Sequence, residues 1–314
     1  MTMDPDAISA ADRFEGCVLG LALGDAMGAP YEGGILERTL WRVIGRTRDG
    51  RRRWTDDTQM SVDIMESVIE LGRIDSDDLS ARFALSYHWS RGYGPATAKV
   101  LKRIRRGVHW SKASYSVFRD GSFGNGAAMR APIIGLFDAM APERINQSVA
   151  ASAIVTHAHE LAIQGAQLIA HAVAASVLGE SSEEILSRMT ELALDEQFRS
   201  RLAKVRQWRE AGQQPSPREV AKALGNGIAA THSCVTAIFI ALAFRDRLIA
   251  NMLEFVVRVG GDTDTIGAMA GAIWGAGNGA SKIPEELVTA IEQHQRLREL
   301  AIALYQRTIS TPTL

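Results

Sequence analysis

Helical periodicity constrains this chain more than any other feature of its 314 residues. In "DDTQMSVDIMESVIELG", Met60, Ile64, Val68 and Leu71 fall on one apolar stripe, and Gly72 follows as a stop signal. The stretches "ERINQSVAASAIVTH", "ELAIQGAQLIAHAVAASVLG" and "SSEEILSRMTELALDEQFRSRLAKVRQWREAG" repeat the pattern. So do "THSCVTAIFIALAFRDRLIANMLEFVVRVGG" and "PEELVTAIEQHQRLRELAIALYQRT". Period-two alternation bounded by turn residues is scarce. Glycines fall between helical stretches, or inside alanine-rich ones where small residues let helices approach closely. Only "AGQQPSPRE", near residues 211 to 219, reads as a linker, and similar helices flank it. The expectation is an all-α bundle forming one domain over residues 1–314.

Several function classes recede on composition. The chain is 46% hydrophobic and 23% charged, with 35 basic against 36 acidic side chains and a net charge of -1. Such a balance gives no general attraction to nucleic acid or to an anionic membrane. Cys17 and Cys234 are its only cysteines, too far apart for a CxxC pair, which fits a reducing compartment and argues against a zinc or disulfide scaffold. The opening "MTMDPDAISAADRFEG" is acidic rather than basic, unlike a signal peptide, and no uncharged 18-residue apolar run follows. A cytoplasmic setting is expected.

Four clusters carry chemistry: "LGLALGDAMGAPYEGG" (19–34), with Asp25 and Glu32; "WTDDTQM" (54–60); "GSFGNGAAMRAP" (121–132); and "VGGDTDTIGAMAGAIWG" (259–275). Thr55, Asp56 and Asp57 open one helix, while Asp262, Asp264 and Thr265 open another. Thr and Asp at a helix start accept backbone N–H groups, so capping explains either cluster alone. It does not explain why both carry two aspartates. Four carboxylates brought together would repel strongly, and cations would relieve that repulsion. Hard divalent ions suit carboxylate and hydroxyl ligands. A calcium EF-hand loop at Asp262 fails, because Ile266 and Ile273 stand where oxygen ligands are required. No GxxxxGK[ST] occurs, which excludes a P-loop.

The loop "GSFGNG" offers consecutive backbone N–H groups ahead of an expected helix "AAMRAPIIGLF". It reads either as an ordinary turn or as an anion site with Phe123 available to stack on a base. "RGYGPAT" (91–97) is a second loop of this kind. In "THAHE", His157 and His159 are two apart and HExxH is absent, so at most one is functional. The run "RTRDGRRRW" (46–54) reads as a solvated loop, with a role in recognising acidic groups left open.

Taken together and in this order, "GDAMGAPYE", "WTDDTQM", "GYGPAT", "GSFGNGAAMRAP", "TH" and "GGDTDTIGAMAGAIWGA" resemble the ADP-ribosylglycohydrolase family, from about Phe14 to about Leu287. The resemblance implies an orthogonal multi-helix bundle holding two divalent cations, Mg2+ or Mn2+. It implies cleavage of the glycosidic bond between ADP-ribose and a protein side chain, with an ADP-ribosylated protein as partner. By motif position, Thr55, Asp56, Asp57, Asp262, Asp264 and Thr265 would be metal ligands. Glu32 matches an acidic residue near the scissile ribose, and Glu32, Asp57 and Asp264 are the catalytic candidates. Ser122, Phe123, Gly124, Asn125 and Gly126 match the pyrophosphate loop, Phe123 at an adenine-stacking place. Gly92, Tyr93 and Gly94 match a second phosphate-side loop, and His157 a histidine near the distal ribose. The polar "GAGNGASKIPEEL" and the valine before "GGDTDT" depart from the family pattern without touching a proposed ligand. Within this resemblance the expected linkage is ADP-ribosyl-arginine. An immunity role against an ADP-ribosyltransferase toxin, by hydrolysis or by binding, is the alternative, as is a non-catalytic ADP-ribose binder.

Overall fold

The computed structural model describes residues 8–310; residues 1–7, part of the acidic opening stretch, and residues 311–314 lie outside it, as do the two ends of the expected 1–314 domain. Among the described residues there are seventeen α-helices and no strand, only three isolated bridges. The first five are α1 (Ala10–Gly28), α2 (Ile35–Ile44), α3 (Asp56–Leu71), α4 (Ser76–Ser86) and α5 (Pro95–Arg105). Then come α6 (Trp110–Ala113), α7 (Ala131–Phe137), α8 (Pro142–Ala153), α9 (Glu160–Val177), α10 (Ser182–Leu192) and α11 (Glu196–Glu210). The last six are α12 (Pro217–Leu224), α13 (Ala230–Ala243), α14 (Ile249–Val259), α15 (Thr263–Asn278), α16 (Glu285–Thr289) and α17 (His294–Ser310).

Local chemistry sets the boundaries. Helix α3 starts at Thr55, whose hydroxyl accepts the Asp57 N–H, and stops at Gly72, left-handed at φ 68°. Ser181 with Glu184, and Ser216 with Glu219, form capping boxes on α10 and α12. Several long periodic stretches divide where the sequence reading ran them together. Asp195 caps α11 three residues after α10 ends, and Gln293, at φ 51°, separates α16 from α17. "ERINQSVAASAIVTH" leaves the helix at Ala153, which places His157 in a loop, and the helix expected to begin at Ala127 begins at Ala131.

Helices α1 and α15 form the centre, buried on all sides and wrapped by α9, α13 and α17. They run antiparallel with their backbones nearly touching. A Cβ built on Gly20 would lie 2.1 Å from the Gly271 oxygen, one on Gly24 1.9 Å from that of Gly267, and one on Gly16 2.5 Å from that of Gly275. Spacing of four residues on both helices puts these glycines on one face each. At the end of the ladder Gly28 meets the backbone of Thr263 and Asp264. The C-terminal end of α1, carrying Asp25, is thereby held against the start of α15.

Candidate active site

The start of α3 is fixed from three directions. The buried Asp25 carboxylate accepts the Thr55 N–H at 2.9 Å, the Thr58 N–H at 3.0 Å and the Thr58 hydroxyl at 2.6 Å. Glu292, from the turn before α17, accepts the Trp54 N–H at 3.0 Å, while Arg91 donates to the Trp54 carbonyl at 2.8 Å. Arg91 and Glu292 are themselves paired and buried, with the Arg91 guanidinium over the Trp54 ring. Thr55 and Asp25 together satisfy the first orphan N–H groups of the helix. Asp56 and Asp57 are therefore not needed as caps.

The start of α15 is built from backbone. Gly260 and Gly261 have φ of 72° and 80°, and a Cβ on Gly261 would lie 2.0 Å from the Asn226 oxygen. The Asp262 N–H bonds that same oxygen at 2.8 Å. Asp262 is the N-cap residue, yet its side chain makes no capping bond. One of its oxygens accepts instead from the Asn125 amide at 2.5 Å, and that amide also donates to Ser233 at 3.0 Å. The glycine-rich loop is thus tied to the acidic cluster.

The two helix starts meet. Glu32, Asp262 and Asp264 each offer a carboxylate oxygen within 4.8 Å of the others. Burial, followed by the nearby carboxylates of Asp25, Asp56 and Asp262, pushes Asp57 well above the usual carboxylate range. Burial, followed by Glu32 and Asp57, does the same to Asp264, and burial followed by Asp25 raises Asp56. Asp25 is raised to about 6 by burial, against the opposing effect of its hydrogen bonds from Thr58 and Thr55. Asp57 Oδ2 is buried without a hydrogen-bond partner. Converging, mutually repelling oxygens with an orphaned one among them fit a hard cation.

A cleft of about 580 Å³ opens from this cluster. Glu32, Asp56, Asp57, Gly92, Gly94, Ser122, Phe123, Gly124, Asn125, Gly126, His157, Asp262, Asp264 and Thr265 line it. Two of the expected residues do not. Thr55 lies beneath as the helix cap, and Tyr93 is turned inward against Tyr87, ring centroids 4.9 Å apart. Phe123, 53% exposed, stands at the cleft mouth with Phe118 and Ile228. The loop carrying it pairs with the segment before α13 through Asn125 N–H to Ile228 O and Ala230 N–H to Phe123 O.

His157 faces the loop so closely that a Cβ on Gly126 would lie 2.4 Å from its ring. Its Nδ1 is 2.8 Å from the Thr156 hydroxyl, which accepts from the fully buried Arg130 at 3.0 Å. Arg130 takes one lone pair of the hydroxyl, which meets Nδ1 with either its proton or its second lone pair, and Thr156 thereby fixes the ring's orientation in the cleft. Burial, with Arg130 second, lowers the His157 pKa to about 3, so the ring is neutral. His159 instead caps α9.

Sequence reasoning missed Glu292, Arg130 and Thr156, and gave Asp25 no role. Asp25 had one visible signal, its place among the glycines that close the α1–α15 contact; Glu292 had none. The basic run is partly structural: Arg53 donates to the Ile44 carbonyl and Ser90, and Arg52 pairs through its backbone with residues 290 and 292.

Residues 6–313 match the ADP-ribosylglycohydrolase family. The chain belongs to that family. An uncharacterized protein of Archaeoglobus fulgidus is 35% identical, over 94% of this chain and 96% of its own. ADP-ribosylhydrolase ARH3 of Xenopus tropicalis is 32% identical over 94% and 95%, and that of Homo sapiens 31% over 96% and 94%. A solved structure described as an ADP-ribosylglycohydrolase-related protein complex shares the fold, with a TM-score of 0.67 and 24% identity over 95% of this chain and 99% of that one. As an ADP-ribosylglycohydrolase the protein is an enzyme that hydrolyses ADP-ribose linkages. Among the described residues, no helix is long and apolar enough to cross a membrane.

Proposed function

We propose that this protein removes ADP-ribose from arginine side chains of proteins, with divalent cations, Mg2+ or Mn2+, held between the starts of α3 and α15. The observation that carries the reading is the approach of Glu32, Asp262 and Asp264 within 4.8 Å beside the buried Asp57. Asp56, Asp57, Asp262, Asp264 and Thr265 would hold two cations, which when bound supply Lewis acidity and neutralise the carboxylates. Thr55 contributes by fixing the helix start.

The remaining residues bind and move protons. Backbone N–H groups of Ser122, Phe123 and Gly126 and the His157 ring face the pyrophosphate and distal ribose, while Phe123 receives the adenine. Gly92, beside Thr55 and Asp56, and Gly94 also line the cleft, where the lack of side chains admits the phosphates. Water attacks the anomeric carbon as the bond to the guanidine nitrogen breaks, through an oxocarbenium-like transition state. Glu32, at the cleft edge, takes the proton from that water, and a proton passes to the leaving nitrogen.

One continuous core from Phe14 to Leu304 supports a single domain over residues 1–314, and two buried unpaired cysteines suit a reducing cytoplasm. Incubation with ADP-ribosyl-arginine and Mg2+ or Mn2+ tests the reading. Free ADP-ribose is the expected product. Release of AMP instead, or cleavage of serine- but not arginine-linked ADP-ribose, overturns the stated specificity.

A further inference from the structure

Beside the cleft runs a second groove, of about 660 Å³, lined by Pro95, Ala98, Lys99, Lys102, Arg103, Arg106 and Val108. Its four cations fall at i, i+3, i+4 and i+7, one face of α5 and its cap. Pro95 and Lys99 line the catalytic cleft as well, so the two cavities join. All four cations are exposed, and none is in an ion pair among the described residues, although the Lys102 ammonium lies over the Tyr87 ring, 5.5 Å from its centroid. Their neighbour Arg105, over the same Tyr87 ring, is not among the groove's lining residues and donates to the carbonyls of Ala84 and Tyr87.

Cations in a last helical turn complement the helix dipole, which explains part of the stripe. It does not explain Lys99, at mid-helix and on the cleft wall. Like charges at these spacings also repel each other, at a small cost per pair. An anionic partner lying along the face would relieve that repulsion. The chain as a whole is at -1, so the stripe is a local feature.

We infer that this groove receives an acidic segment of the modified protein, flanking the side chain that carries ADP-ribose; the inference rests on the function proposed above. From Pro95 to Arg106 the helix rises about 16 Å, the length of about five residues of extended chain. Carboxylates spaced along such a segment meet Lys99, Lys102, Arg103 and Arg106 in turn. The floor of aliphatic stems, Pro95, Ala98 and Val108 has no ring on which bases could stack, which favours a peptide over a nucleic acid.

The test uses the triple variant Lys102→Glu, Arg103→Glu, Arg106→Glu, leaving the cleft residue Lys99 in place, with Lys→Gln and Arg→Gln changes at the same positions should the reversal not fold. Substrates are ADP-ribosyl-arginine and two ADP-ribosylated peptides, one with acidic and one with neutral flanks. The acidic peptide should have a KM about tenfold below the neutral one at low salt, an advantage lost in the variant and in high salt. Turnover of ADP-ribosyl-arginine should be unchanged. Equal KM values for both peptides in the wild type, or stronger competition by a single-stranded oligonucleotide than by an unmodified acidic peptide, would overturn the inference. Should the wild type fail on all three substrates, the proposed function falls and the groove is judged separately. Fluorescence anisotropy of the unmodified acidic peptide must then show weaker binding to the variant, and equal binding rejects the groove.

Discussion

At the start of α3 the orphan N–H groups are taken by Thr55 and, from another helix, by Asp25, while Glu292 and Arg91 grip the preceding residue. At the start of α15 the N-cap aspartate makes no capping bond, and position is set by left-handed glycines and by Gly28 of α1 against the backbone. One end is held by buried polar groups and the other by backbone contact. Each end leaves a carboxylate uncommitted to the helix it begins, Asp57 Oδ2 at α3 and Asp262 at α15, while Asp264 accepts the Thr265 N–H at 2.9 Å. Aspartates at a helix start thus signal a site only when other groups already do the capping.

The largest expected effect breaks both ends alike. Asp57→Ala and Asp264→Ala should each lower kcat/KM about a thousandfold or more on ADP-ribosyl-arginine. Asp57→Ala should not lower the melting temperature of the metal-free protein, since it removes a carboxyl raised by burial and then by its neighbours. Asp264→Ala, which removes a carboxyl raised in the same way but also the acceptor of the Thr265 N–H, should lower it by no more than about a degree or two. A loss of several degrees in either would show that it supports the helix after all.

Asp25→Ala should separate the two ends. It strips acceptors from three buried donors at α3 and from none at α15, a cost of about 4 kcal/mol. Thermal melting should fall by about 10 °C. Unchanged melting would mean that Thr55 alone suffices as the cap.

A smaller effect is expected at the tie between the glycine-rich loop and α15. Asn125→Ala leaves Asp262 without its amide donor and should reduce activity about 10- to 100-fold. The loss should be recovered in part by Asn125→Gln only if the amide itself matters. Wild-type activity in Asn125→Ala would detach the loop from the acidic cluster.

The smallest effect concerns Asp63, nearly two turns beyond the site on α3 and bonded by Ser86 and Gln59. Burial raises it from an ordinary 3.8 to about 7. Because the folded value lies above the unfolded one, its neutral form stabilises the fold at low pH, and that contribution fades as pH rises toward about 7. Asp63→Asn should therefore gain in melting temperature relative to wild type at about pH 8 compared with about pH 5. An offset independent of pH would show that Asp63 titrates normally.

The all-α class was legible because stripes such as Met60, Ile64 and Val68 need only local spacing. The paired aspartates were legible because their residue types repeat at two helix starts. Glu292 was not, since a lone glutamate carries no local sign of the Arg91 and Trp54 it will meet. The inward turn of Tyr93 was equally hidden, because a tyrosine between two glycines reads the same whether its ring faces a ligand or Tyr87. Helix breaks at residues 193–195 and 290–293 were obscured for a related reason: apolar periodicity runs through them, and only the cap or the left-handed Gln293 marks the stop.

Whether the two helix starts act as one cation site can be measured directly by titrating metal-free protein with Mn2+ in a calorimeter. The wild type should bind about two ions, and Asp57→Ala and Asp264→Ala should each weaken or abolish that binding although they lie on different helices. Equal Mn2+ binding by the wild type and both variants would contradict the shared site.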